Sequence, residues 1–348
     1  MKIFLKSLLI IFLNGIFLSC DSSDNSNDFD GIKPDFFTYV GIVQDLAYLN
    51  TEQYYIQLDK KIDENQIERL VIKLNKISAD GSLMNLNSDL PPNKFNSSRD
   101  VGIAVSNNNT PLCVSDSSIN GNEILTFSED FSSILIDKVN SNVPGVISQI
   151  NSIAHLGNDV YVFYDISARE LREYNIVTRR TSLIAGHYEN LSIEDGIGIN
   201  VGFKKVTKIY VNNGSIYVVD NGTHLRKLED TPSGYKINTI LDVSEIGTIN
   251  SMAYDSSTEE FLLSIREVQN QLVLGHLYLF DEQNQSLDTL TSDYSISLDL
   301  SDLDSDEEDF IGFGAWGSIE HMNIYDGDLY FIQHNRAIKI SNYRSKIY

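Results

Sequence analysis

The sequence predicts an all-β fold assembled from repeated strand-turn-strand units, and three observations carry that prediction. The composition is the first: 18 Tyr, 16 Phe and only 6 Pro in 348 residues, with many Ile, Val, Thr and Asn, describe short strands joined by polar turns. The second is recurrence. Val160-Tyr161-Val162 followed by Leu171-Arg172 returns as Ile216-Tyr217-Val218 followed by Leu225-Arg226, with offsets of 56 residues for the tyrosines and 54 for the leucines. The third is a two-residue hairpin signal, Asp326-Gly327, set between Met322-Asn323-Ile324-Tyr325 and Leu329-Tyr330-Phe331-Ile332. A helical domain is disfavoured: only residues 64–75 read at helical spacing, and their Leu70-Val71-Ile72 centre fits a strand at least as well.

Residues 1–19 stand outside this fold. Lys2 and Lys6 precede a run from Leu8 to Leu18 that is apolar apart from Asn14 and Gly15, the pattern of a secretory signal peptide too short for a membrane span. The following Phe17-Leu18-Ser19-Cys20 resembles a bacterial lipobox. That resemblance implies that Cys20 is lipidated and becomes the mature N-terminus, so that the protein meets the membrane through a lipid anchor only. Residues 20–34 are then a tether, because Asp21-Ser22-Ser23-Asp24-Asn25-Ser26-Asn27-Asp28 has no apolar surface to bury. An acidic run just after the lipidated Cys resembles the Bacteroidetes signal that sends lipoproteins to the outward face of the outer membrane. Residues 35–348 are expected to form one domain.

With Cys20 lipidated, Cys113 has no disulfide partner, and Pro111-Leu112-Cys113-Val114 reads as a strand in which it is a small core residue. Removing residues 1–19 takes away two Lys, leaving 24 basic against 49 acidic residues, a net of 24 − 49 = −25. So acidic a surface repels phosphate backbones, which excludes nucleic acid as a partner.

Within 184–228, Ile184-Ala185-Gly186-His187, Glu194-Asp195-Gly196, Gly202-Phe203, Gly214-Ser215-Ile216-Tyr217-Val218-Val219-Asp220 and His224-Leu225-Arg226-Lys227 follow one another in the order of an NHL repeat, and the stretch resembles one unit of that family. The resemblance implies one blade of a β-propeller. Weaker units occupy residues 42–86 and 99–140, a unit opening at Ile153, residues 249–280 and residues 318–340, six in all. The fold expected is thus a six-bladed β-propeller of four-stranded antiparallel blades, with five or seven blades as alternatives. The last unit has three clear strands, whereas Phe36-Phe37-Thr38-Tyr39-Val40 has no blade of its own. This N-terminal strand is predicted to close the C-terminal blade and seal the ring.

Candidate sites fall where the repeat breaks, in the loops at 87–97, 187–202 and 299–317. Trp316, the only Trp, sits with Phe313 among three glycines and reads either as a stacking platform for a sugar ring or as packing between blades. His187 and Tyr188 open the second loop and are candidate ligand contacts. Asp302, Asp304 and Asp306 alternate as in a calcium loop, but Glu307 stands where the turn needs Gly and Phe313 where a bidentate Glu is required, so this run reads first as a solvated loop and second as a weak calcium site. Asp165, Asp195, Asp220, Arg172 and Arg226 read as blade architecture: turn-closing carboxylates and their cationic partners.

No nucleophile elbow, phosphate loop or dinucleotide fingerprint is present, and the six His show no metal-ligand spacing. The function expected is a surface-displayed lipoprotein whose propeller binds a glycan or an envelope protein, or scaffolds a complex. The alternative is a metal-dependent propeller lyase or hydrolase with a divalent cation in its central channel.

Overall fold

The computed structural model describes residues 35–348 apart from 41, 63–67, 91–100, 107–110, 116–122, 128–130, 132–133, 139–149, 188, 191, 270–271, 291–318, 320, 334–335 and 348. The described strands form six antiparallel sheets. Blade 1 contains β2 (Ile42–Leu49), β3 (Glu52–Ile62), β4 (Glu68–Ile77) and β5 (Leu83–Leu90). Blade 2 contains β6 (Val101–Val105), β7 (Pro111–Ser115), β8 (Glu123–Phe127) and β9 (Ile134–Lys138). Blade 3 contains β10 (Ile150–Gly157), β11 (Val160–Asp165), β12 (Glu170–Asn175) and β13 (Arg180–Ala185). Blade 4 contains β15 (Val206–Asn212), β16 (Ser215–Asp220), β17 (His224–Glu229) and β18 (Lys236–Asp242), with the two-residue β14 (Gly196–Ile197) added outside β18. Blade 5 contains β19 (Thr248–Asp255), β20 (Glu260–Gln269), β21 (Leu272–Asp281) and β22 (Ser286–Thr289). Blade 6 is β23 (His321–Tyr325), β24 (Asp328–Gln333) and β25 (Arg336–Ile340), completed by β1 (Phe36–Tyr39). The chain is a six-bladed β-propeller.

Strand alternation explains how the blades hold together. Side chains i and i+1 of a strand point to opposite faces, so each blade presents one apolar row to the blade before it and another to the blade after. The buried side chains accordingly sort into six clusters, each shared by two neighbouring blades, with Tyr54 and Ile56 packing towards blade 2 and Tyr55 towards blade 6. Tyr161 and Phe163 face blade 2, whereas Val162 and Tyr164 face blade 4. Closure follows the sequence reading: β1 pairs antiparallel with β25 in the register Phe36↔Lys339 to Tyr39↔Arg336. Residues 343–347, which cannot serve as an outer strand because β1 holds that place, form α1 (Tyr343–Ile347) and clamp blade 5. Tyr343 Oη and Arg344 Nε donate to Asp255 Oδ2 at 2.8 and 2.9 Å, and Arg344 Nη2 donates to Glu260 Oε2 at 2.6 Å.

The expected turn chemistry is present and recurs in other blades. Asp326-Gly327, with φ of 52° and 78°, is a type I′ turn, and Asn158-Asp159 (46°, 62°) and Asn213-Gly214 (48°, 79°) repeat it between inner and second strands. Residues 68–77 are strand, as their Leu70-Val71-Ile72 centre suggested.

Four details differ from expectation. The loop read at 87–97 begins later, because Asn87 to Leu90 end β5, where Asn87 pairs with Leu74 and Leu90 with Ile72, and 91–97 lie outside the described residues. The 184–228 unit straddles two blades, because Ile184 and Ala185 end β13 and the rest belongs to blade 4. The boundary falls at Gly186, whose φ of 99° and whose closeness to the Arg169 carbonyl leave no room for a Cβ. The repeat offset along the second strand is 55 residues, Asp165 to Asp220, not 56. Phe163↔Arg172 and Val218↔Arg226 are the equivalent pairs, and matching tyrosine to tyrosine slips the register by one, which would turn each core side chain to the wrong blade. Blade 4 also has five strands where four were expected, since the pinned loop before it lays Gly196–Ile197 along the free edge of β18.

Candidate functional site

The residues that first suggest chemistry in the 184–228 stretch build the blade. Arg226 is fully buried and lies 3.1 Å from the buried Asp220 carboxylate. Its Nη1 donates to the Gly202 carbonyl at 2.7 Å and its Nη2 to the Glu194 carbonyl at 2.7 Å, and its guanidinium sits 5.0 Å from the Phe203 ring centre. Asp220 Oδ1 accepts the backbone N–H groups of Lys204 and Lys205 at 3.0 and 2.9 Å. Asp195 Oδ1 takes the N–H and hydroxyl of Thr239 at 2.8 and 2.9 Å. These bonds fix the loop at 187–202 against its blade, as the sequence reading expected of Asp195, Asp220 and Arg226. Gly202 is required there, since a Cβ would stand 2.5 Å from the Ser192 carbonyl and 2.6 Å from that of Asn190. In blade 3, Asp165 Oδ1 caps the turn through the N–H groups of Ser167 and Ala168 at 3.1 and 3.2 Å, and Arg172 pairs with Glu170. Cys113 is buried in the cluster between blades 1 and 2, where burial and the charge of Asp45 push its thiol up, in keeping with a core role.

The site that the fold assembles is the central channel. A cavity of about 300 Å³ is lined by the innermost strand of every blade, β2, β6, β10, β15, β19 and β23. Strand register places one residue per blade at a common level. Asp45, Gly102, Ser152, Lys208, Ser251 and His321 each pair with the equivalent second-strand position, respectively Ile56, Val114, Tyr164, Val219, Ser264 and Ile332. Asp45, Ser152, Lys208 and Ser251 each follow a register shift in their strand, the local twist by which a bulge re-aims a side chain. Two of the skipped residues bond elsewhere: Thr207 Oγ1 donates to Val219 O at 3.3 Å, and Asn250 Nδ2 ties blade 5 to blade 6 through Ile319 O at 2.7 Å. Further along the channel, Ala47, Ala104 and Ala154 line one wall, and Tyr210, Met252 and Met322 the other. The three alanines leave the cavity open.

At the common level, three ionisable groups converge from blades 1, 4 and 6. Lys208 Nζ lies 4.0 Å from Asp45 Oδ1, reaching to the opposite blade, and His321 Nδ1 lies 3.8 Å from the same oxygen. The other oxygen, Asp45 Oδ2, accepts the Ile103 N–H at 2.9 Å. Burial raises the Asp45 carboxyl above the usual carboxylate range, although the Lys208 charge and the Ile103 N–H oppose it. Burial, with the nearby Lys208 charge, holds the His321 imidazole well below its ordinary value, which leaves it neutral at pH 7. Tyr48, also lining the channel, donates its hydroxyl to His321 O at 3.3 Å and so ties blade 1 to the backbone that carries His321.

Of the candidate site residues read from the sequence, His187 is the one the structure describes. It lies on the loop between β13 and β15, where its Nδ1 accepts the Glu189 N–H at 3.3 Å, and it does not line the channel. Cys20, Tyr188, Phe313, Trp316, Asp302, Asp304 and Asp306 lie outside the described residues. Asp45, Lys208 and His321 were missed because they are 163 and 113 residues apart and belong to no local motif. The signal that finds them is the repeat itself: aligned by strand register, the inner strands bring Asp45, Ser152, Lys208, Ser251 and His321 into one shared column, with Gly102 as its sixth member. Among the described residues, no group of three or more His, Cys, Asp or Glu is placed to hold a metal ion, and no helix is long and apolar enough to cross a membrane.

No protein-family profile matches the chain, and no curated protein matches it. Solved structures do. A protein of unknown function from Bacteroides thetaiotaomicron VPI-5482 superposes with a TM-score of 0.51 at 12% identity, over 88% of this chain and 72% of that one. A β-propeller domain of Myceliophteria thermophila Cps50 (Swd1) gives 0.52 at 8% identity over 88% and 99%, and a chain of a nidogen/laminin complex gives 0.51 at 10% over 84% and 90%. At these identities the likeness is one of fold.

Proposed function

We propose that this protein is a binding propeller whose ligand enters the central channel and is held at the level of Asp45, Lys208 and His321. The observation that carries the reading is the convergence of these three side chains, from three blades, in a cavity bounded by all six inner strands. A cavity of about 300 Å³ is at the low end of the range for small-molecule sites, typically about 300–1,000 Å³. Its mixed lining of apolar side chains and a few convergent polar groups is the kind that fixes one small ligand's orientation.

The repeat is read as NHL-type, on the residues of 184–228. The chain is further proposed to be an exported lipoprotein, anchored through Cys20 and displayed on the outer membrane, a reading supported by Lys2, Lys6, the apolar run to Leu18 and the acidic tether. Replacing Cys20 with Ala is expected to release the protein from the membrane fraction and to abolish incorporation of radiolabelled palmitate.

The channel reading is tested by a thermal-shift screen of small metabolites and divalent cations on the wild-type chain and on Ala154→Leu, which narrows the cavity. A ligand that binds only the folded state raises the melting temperature. A compound that stabilises the wild type and not the variant supports the channel. Equal stabilisation of both places the ligand elsewhere and overturns the reading. A response to divalent cations alone, lost in Ala154→Leu, would favour the metal-dependent enzyme instead.

A further inference from the structure

We propose that Asp45, Lys208 and His321 form a hydroxyl-binding subsite, which makes the channel's ligand a neutral polyhydroxylated small molecule of the monosaccharide class. The inference rests on the channel being the binding site and assigns the chemistry it selects. Asp45 Oδ1 stands 4.0 Å from Lys208 Nζ and 3.8 Å from His321 Nδ1, both beyond hydrogen-bond distance. Neither Lys208 Nζ nor the His321 ring makes a hydrogen bond among the described residues, and Asp45 Oδ2 is already committed to Ile103. Asp45 Oδ1 therefore stands one bridging atom away from the Lys208 ammonium and one bridging atom away from the His321 ring, and the proposal places a single ligand atom against all three.

The hydrogen-bond inventory decides which atom. A hydroxyl oxygen donates its proton to Asp45 Oδ1 and keeps two lone pairs, one for Lys208 Nζ and one for an imidazole N–H. A carboxylate or phosphate oxygen has no proton to give Asp45 and is repelled by it. An ammonium has no lone pair to offer Lys208 and is repelled in turn. The molecule's formal charge of −23 further turns anions away from the channel mouth.

The rest of the cavity suits a ring bearing several hydroxyls. Ser152 and Ser251 occupy the same level on blades 3 and 5, Asn323 lies further along, and the rings of Tyr48, Tyr210 and His155 contribute aromatic surface. The volume admits one small ring rather than an oligosaccharide.

Isothermal titration calorimetry of the detergent-solubilised full chain tests this with four sets of probes: neutral aldohexoses with their monodeoxy analogues, hexuronates, α-amino acids and hexosamines. At least one neutral hexose is expected to bind one-to-one. Lys208→Met and Asp45→Asn are each expected to weaken it at least 10-fold, and one monodeoxy analogue to lose at least 30-fold, since a site built around a hydroxyl rejects the ligand lacking it. Should Lys208→Met fail to fold, Ser251→Ala and the deoxy series carry the same test without disturbing the charges. Hexuronate or amino-acid binding that depends on Lys208, with no neutral hexose bound, overturns the hydroxyl assignment and leaves the channel as the site. Hexose binding unchanged in all three variants overturns both. No binding by any probe means that the gap holds water only and overturns the inference.

Discussion

Arg226 is buried among partners that belong to its own blade and to the loop before it, so its replacement reports directly on whether it is architecture. Arg226→Met keeps much of the side-chain volume but leaves Asp220 without its cation and the carbonyls of Gly202 and Glu194 without donors at 2.7 Å. Breaking a buried pair by removing one partner costs about 3–5 kcal/mol. Asp220 retains the Lys204 and Lys205 N–H groups, which places the expected loss near the lower end, about 3–4 kcal/mol. With a urea slope of about 3 kcal/mol per M, the unfolding midpoint should fall by about 1 M. Adding Asp220→Asn removes the stranded charge while preserving an acceptor for the two N–H groups, so the double variant should recover part of the loss, a coupling that a double-mutant cycle measures. Arg172→Met is the internal comparison. Its partner Glu170 keeps 12% exposure, whereas Asp220 is fully buried, and a smaller loss of about 1–2 kcal/mol is expected. A midpoint shift below about 0.3 M for Arg226→Met, about 1 kcal/mol on the same slope, would refute the architectural role of Arg226.

Further expectations follow from the clamp, the channel and the closure. Burial alone would raise the Asp255 carboxyl, but hydrogen bonds from Ser257, Tyr343 and Arg344 outweigh it and hold the group below the ordinary carboxylate value. Its stabilisation is thus complete above the unfolded value of about 3.9 and lost as pH falls through the lower folded value, so the gap in urea midpoint between wild type and Asp255→Asn should be constant above about pH 5 and shrink below about pH 4. Asp45 has the opposite sign: its raised folded value means that ionisation opposes folding, so Asp45→Asn should be neutral to stabilising at pH 7, with that advantage vanishing below about pH 4. A large loss of stability at neutral pH would show that Asp45 is structural. Removal of the chain through Tyr39 leaves β25 as an open edge, and light scattering should then show self-association that the intact chain lacks.

Much of the fold was legible because it is written in local patterns. The Asp326-Gly327 turn needs two residues with positive φ, and alternation in Tyr54-Tyr55-Ile56 reads as a strand buried on both faces. Even closure was legible, because Phe36 to Val40 was a strand left without partners in a fold that tolerates few free edges. Register was harder. Tyr161 and Tyr217 look alike but face opposite neighbours, because sequence similarity does not see the hydrogen-bond ladder. The site was illegible for the same reason in stronger form. Asp45, Lys208 and His321 are unremarkable in their own segments, and only the ring closed on itself brings Lys208 and His321 within 4.0 Å of Asp45. The loop residues that stood out, such as His187, stood out because they interrupt a pattern, which marks where a blade ends as readily as where a ligand sits.

The contact between Lys208 and Asp45 spans blades 4 and 1 and so divides labour within the repeat. The turn-closing Asp and the Arg of the next strand recur in blades 3 and 4, whereas the shared inner-strand column holds a different side chain in almost every unit: Asp, Gly, Ser, Lys, Ser and His. Duplicating a blade therefore transmits the scaffold without its selectivity, and a single replacement in that one column can retune what the ring admits while every turn, clamp and apolar row stays as it is.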